Sequence, residues 1–179
     1  QNTPSLAADA FAKSDNMTDL SQALTILAHR FPDATETKEA LAAFETRFAS
    51  NALVLDKWFS IQATIPGSAS LDRVKALMQS PHFAPTNPNR VRSLVGTFAF
   101  GNATGFNRAD GGPYDFFAEQ ILAIDPRNPQ LAARLAMALA AWRRYDPVRA
   151  ATMRVALERI SGRSGLSRDV FEIVSRSLA

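Results

Sequence analysis

Apolar residues recur along this chain with the period of a helix. In "NPNRVRSLVGTF", Val91, Leu94, Val95 and Phe98 stand at i, i+3, i+4 and i+7, one stripe down an α-helix. In "NPQLAARLAMAL", Leu131, Leu135, Ala138 and Leu139 form a second stripe of the same kind. Strand-like alternation of apolar and polar residues is absent. The pattern predicts an all-α chain, with helices over 4–14, 18–30, 34–49, 51–65, 70–79, 88–99, 113–124, 129–142, 147–161 and 166–178. Between them lie strong breaks. Pro32 interrupts "RFPDATETKEA", with Asp33 or Thr35 as the next cap, and "TIPGSAS" turns before Ser70 caps a helix. "SPHFAPTNPN" carries three prolines, and "GNATGFNRADGGPY" is a Gly-rich connection closed by Pro113.

The helix starts repeat. Asn87-Pro88, Asn128-Pro129 and Asp146-Pro147 each place a capping side chain before a proline at the first helical position. Asn87 and Asn128 are 41 residues apart, and Ser50 precedes Asn87 by 37. Helix pairs recurring at about 40 residues are the mark of HEAT and armadillo repeats. The expected architecture is a single domain over 1–179, a superhelical solenoid of stacked antiparallel helix pairs. A solenoid of this kind offers a concave face to a partner.

Two of these helices carry long polar residues where they are least expected. Arg90 and Arg92 border the apolar stripe in the first turns of their helix, where the helix dipole disfavours cations by about 0.3–1 kcal/mol. Gln130 and Arg134, one turn apart, border the stripe of the second Asn-Pro helix in the same way. Two readings stand. The arginines snorkel, covering apolar surface with their stems or pairing locally. Alternatively they line a common groove, where guanidiniums suit carboxylates.

Composition narrows the chemistry. The chain has 179 residues, 46% hydrophobic and 21% charged, with no cysteine and therefore no disulfide or thiolate chemistry. No apolar run is long enough to span a membrane, no signal peptide is visible, and the absence of an initial Met predicts a fragment or processed chain. The pI near 9.7 comes from the tail: residues 143–179 hold eight arginines against four acids. Arg144, Arg149, Arg154, Arg159, Arg163 and Arg168 walk around their helices rather than lining one face, which predicts a solvated surface and no nucleic acid partner. His29 and His82 are the only histidines, and His29 reads as a cation at a helix C-terminus. There is no H-E-x-x-H, G-x-S-x-G or P-loop, and the carboxylate pairs read as solvated faces. The isolated chain is expected to be no enzyme and to bind no metal.

The segments "NALVLDKWFSIQAT", "NPNRVRSLVGTFA", "RNPQLAARL", "RRYDPVR" and "MRVALERI" resemble the C-terminal helical domain of bacterial alanyl aminopeptidase N, a gluzincin zinc metallopeptidase. The resemblance runs from "DNMTDLSQAL" to Ala179. It implies a non-catalytic, armadillo-like last domain. The zinc motif H-E-x-x-H and the G-x-M-E-N motif lie in an earlier catalytic domain, outside this chain. By the family's pattern, this domain caps the catalytic domain of the same polypeptide and lines an interior cavity for peptide substrates. Arg92, Gln130 and Arg134 match the cavity-lining positions, with Asn87 and Arg90 as supporting neighbours. A cytoplasmic location and no membrane partner are implied as well. The loop "GTFAFGNATGFNRADGGPY" departs from the family pattern, so no role carries over to Asn102, Asn107 or Arg108. "DKWF" with Trp58 reads as core packing. The alternatives are a free-standing α-solenoid scaffold for an acidic peptide and a nucleic acid binder driven by the basic tail.

Overall fold

A computed structural model of the chain describes residues 3–179, and no strand occurs among them. Helices α1 (Pro4–Lys13), α2 (Met17–Arg30), α3 (Thr35–Phe48), α4 (Ala52–Ala63), α5 (Ser70–Leu77) and α6 (Pro88–Val91) come first. A single π turn, Arg92–Gly96, joins α6 to α7 (Thr97–Gly101). Then follow α8 (Ala103–Phe106), α9 (Gly112–Ile124), α10 (Pro129–Ala136), α11 (Pro147–Ser161) and α12 (Arg168–Leu178). Two short 3₁₀ turns, Met137–Leu139 and Trp142–Arg144, lie between α10 and α11. The helices group into two compact units, Gln1–Thr97 and Phe98–Ala179.

In the first unit, α1 packs on α2 and α3, and α4 packs on α2, α3, α5 and the π turn. The sequence period selects the buried faces. Leu20, Leu24 and Leu27 of α2, Phe44 of α3 and Leu55 and Phe59 of α4 are almost wholly removed from water. The Val91, Leu94, Val95 stripe is buried with them. Each such side chain contributes about 1.5–3 kcal/mol of burial. Trp58 is core, as its sequence context suggested: it is buried, and its indole donates to Leu41 O at 2.9 Å.

In the second unit, α9 packs on α10 and α11, while α12 packs on α10 and α11. Phe106, on α8, is the centre of an aromatic cluster. Phe98, Tyr114 and Phe117 meet it edge-on at 5.6, 5.3 and 5.2 Å between centroids. This geometry sets ring edges against ring faces and adds about 0.5–1.5 kcal/mol per pair to the area buried. Asp125, buried, accepts from the Ser167 amide at 2.9 Å, and Ser167 in turn caps α12 through the Val170 amide.

Capping follows the expected chemistry at the repeated starts. Asn87, Asn128 and Asp146 each accept an amide of the first turn, with the proline at the helix start. Elsewhere the caps shift by a residue. Asn51 rather than Ser50 caps α4, through the Val54 amide. Ala34, with no side-chain bond, precedes α3 where Asp33 or Thr35 was expected. Ser70 is already helical, and its hydroxyl instead donates to Ile65 O and Gly67 O, closing the turn before α5. The helix expected over 129–142 stops at Ala136 and continues as 3₁₀ turns. The Gly-rich connection contains α8, which periodicity did not reveal.

Candidate functional site

The puzzle of the two cations resolves differently for each. Asn87 Oδ1 accepts the Asn89 and Arg90 amides at 3.0 and 3.4 Å and so starts α6. Arg90 then turns inward, only 5% exposed. Its Nη1 lies 2.8 Å from Asp56 Oδ1, and its guanidinium carbon sits 4.9 Å from the centroid of Phe59. A buried guanidinium is tolerable because a carboxylate and an aromatic face replace water. The ion pair with α4 works against the cost of the unfavourable helix end. Arg92, two residues on, is exposed, and Nη1 donates to Asn89 Oδ1 at 3.0 Å. Within the first unit, Asn87 and Arg90 are thus framework, and Arg92 is presented to solvent.

Within the second unit, the Asn128 side chain accepts the Leu131 amide at 3.0 Å and starts α10. Leu131 and Leu135 are buried on that helix, while Gln130 and Arg134 are exposed one turn apart. Among the described residues, neither Gln130 nor Arg134 makes a side-chain hydrogen bond or ion pair. Several other arginines of this unit are committed, while Arg127, Arg144, Arg163 and Arg168 are, like Arg134, exposed without a side-chain partner among the described residues. Arg149 pairs with Asp146 at 2.8 Å and donates to Asn107 O at 2.6 Å. Arg154 pairs with Glu158, Arg159 with Glu119 and Arg176 with Glu172. Arg143 donates to Ser177 O and Leu178 O at the end of α12 and stacks 4.2 Å from the Trp142 centroid.

Residues left without a family role in the Gly-rich segment are structural. Asn102, buried, caps α8 through the Gly105 amide at 2.9 Å. Asn107 accepts the Tyr114 hydroxyl at 3.1 Å, and Arg108 pairs with Asp110. Burial, with lesser contributions from Tyr145 and Asp146 against an opposing one from Arg149, pushes the Tyr114 phenol up to about 12. His29 is not simply a terminal cation. Its ring Nε2 lies 3.0 Å from Thr64 Oγ1, tying α2 to the end of α4. His82 reaches Glu45 at 3.5 Å. Among the described residues, no group of three or more histidines and carboxylates could hold a metal ion. No described helix is long and apolar enough to cross a membrane.

The family model described as a domain of unknown function, DUF3458_C, with ARM repeats matches residues 1–179. The chain is 42% identical over 168 residues to aminopeptidase N of Caulobacter vibrioides, covering 94% of this chain and 19% of that protein. It is 39% identical over 176 residues to aminopeptidase N of Escherichia coli, covering 97% and 20%. Aminopeptidase A of Legionella pneumophila, solved in complex with aspartic acid, superposes with a TM-score of 0.91 at 31% identity, covering 98% of this chain and 20% of that one. The chain thus spans about one fifth of the length of the relatives it matches. These matches agree with the helical-repeat class read from the caps and periods, and the chain belongs to the DUF3458_C ARM-repeat family, a helical-repeat segment that it shares with the aminopeptidase N proteins it matches.

Proposed function

We propose that this domain works within a zinc-dependent aminopeptidase that removes N-terminal residues from peptides. In this reading it caps the catalytic domain of the same polypeptide. It lines an interior substrate cavity with Arg92, Gln130 and Arg134, and it governs access and binding of the carboxyl side of the peptide. In this reading the zinc belongs to the part of the enzyme outside this chain; among the described residues here there is no group of three or more metal-ligating side chains. A cytoplasmic location is part of the same reading and suits a chain without cysteine.

One observation carries it: Gln130 and Arg134 are exposed and uncommitted, one turn apart, on a helix whose start is capped by Asn128. Exposed surface pairs add little to stability. A guanidinium left without a carboxylate on a rigid element is instead available to a ligand's carboxylate, and an amide one turn away adds donors without demanding one particular side chain.

The test is steady-state kinetics of Arg134→Ala in the full-length enzyme on a matched peptide acid and peptide amide. Binding of the acid should weaken by about 1–3 kcal/mol, seen in KM with kcat unchanged. The amide should lose much less. Equal losses on both substrates, or an unchanged KM with a large fall in Tm, would make Arg134 a snorkelling residue and remove the assignment.

A further inference from the structure

The helix that presents Arg92 is not α-helical throughout. At the π turn Arg92–Gly96 the Thr97 amide reaches the carbonyl of Arg92, five residues back, where an α-helix bonds across four. A π turn adds one residue to the helical register, so a carbonyl within it is left for a donor other than the helix's own amides. Such turns are rare, and they persist where their surroundings hold them.

Here the surroundings are two side chains of α4, spaced one turn apart and therefore on one face. Ser60 Oγ donates to the Ser93 carbonyl at 3.0 Å, inside the π turn. Asp56 Oδ1 accepts from Ser93 Oγ at 3.2 Å and pairs with Arg90 Nη1 at 2.8 Å. Thr97 Oγ1 lies 3.4 Å from Ser60 Oγ and donates to the Arg92 carbonyl at 3.2 Å. The residue after Arg92 and the residue two before it are both anchored to α4. Arg92 itself is exposed, and among the described residues its side chain has a single hydrogen bond, to Asn89.

We infer that Asp56 and Ser60 are positioning residues for Arg92. Asp56's carboxylate holds the Ser93 hydroxyl and Ser60's hydroxyl holds the Ser93 carbonyl, and together they stabilise the π turn and so set the direction in which the Arg92 guanidinium leaves this unit. The inference rests on the cavity role proposed for Arg92 and adds the residues that aim it. Neither α4 residue touches the peptide in this account. A loss of either widens the range of Arg92 orientations, and a carboxylate then meets a less ordered partner.

The experiment is a mutant cycle in the full-length enzyme on the peptide acid and its amide, with Tm recorded for each variant. Arg92→Ala should raise KM for the acid about tenfold, with kcat unchanged and the amide little affected. Ser60→Ala should raise KM for the acid about threefold to tenfold. It should have no further effect once Arg92 is alanine, and Ser60→Thr, which keeps the hydroxyl, should restore most of the loss. Asp56→Asn should act in the same direction, and Ser60→Ala, which leaves the Arg90 pair intact, carries the test if Asp56→Asn folds poorly. If Arg92→Ala leaves KM for the acid unchanged, the cavity role of Arg92 falls and the inference falls with it. If Arg92→Ala acts but Ser60→Ala is silent, adds independently, or shifts acid and amide equally, the cavity role stands and the positioning role is overturned.

Discussion

Arg90 and Arg92 differ by two residues and share a side-chain type, yet one is framework and the other faces solvent. The difference is made by Asp56 and Phe59, which arrive from α4. Tyr114 is a second residue whose character is set by its neighbours. Its ring is sealed against Phe106 and its hydroxyl is held by Asn107. Burial raises its pKa to about 12, whereas an unfolded phenol ionises near 10. A raised pKa means that the stability tied to the neutral phenol is complete below about pH 10 and is lost as pH rises through about 12. In an absorbance titration of the isolated chain, which has two tyrosines, a late ionisation step should coincide with loss of helix signal. Tyr114→Phe should abolish that late step. A single early step accounting for both tyrosines in the still-folded wild type would contradict the sealed environment.

At the scale of elements, caps were the most legible feature of the chain. Asx-Pro pairs act within four residues, so their geometry depends on little beyond their own sequence. Asn128→Ala should therefore cost about 1 kcal/mol, measured by urea denaturation, while leaving the helical fold intact. The same change at Asn16, which caps α2 through the Asp19 amide, gives a comparison at a start without proline. A cost below a few tenths at Asn128 would mean that packing of Leu131 and Leu135 alone fixes the start of α10. Other elements were not legible. Helix α8 has four residues, and its Phe106 is gripped by three rings, all of them outside the helix. The π turn leaves no mark in hydrophobic period, since Val91, Leu94, Val95 and Phe98 are buried either way. It becomes visible only when Ser60 and Asp56 are placed against it.

At the scale of the whole molecule, net charge misleads and placement corrects it. The basic tail holds Arg149, Arg154, Arg159 and Arg176 in ion pairs, so about half of its cations are locally neutralised despite the high pI. The absence of a metal-ligating cluster among the described residues leads to a direct expectation. The isolated chain should bind no zinc stoichiometrically and hydrolyse no aminoacyl arylamide. Metal analysis of the purified chain and an arylamide assay check this together. One tightly held zinc per chain would overturn it.

What the sequence by itself determined is local and periodic: the all-helical class, the buried stripes, the Asx-Pro starts and the place of Gln130 and Arg134, one turn apart at the border of their stripe. These follow from interactions between residues within about one turn of each other, or from a repeat that any packing partner satisfies. The tertiary structure decided the rest. It made Arg90 a buried partner of Asp56, turned His29 toward Thr64, folded a Gly-rich segment around Phe106 and opened a π turn beneath Arg92. Each of those outcomes depends on a residue at least seven positions away in the chain, brought near by packing, and no window of sequence contains the distance between them.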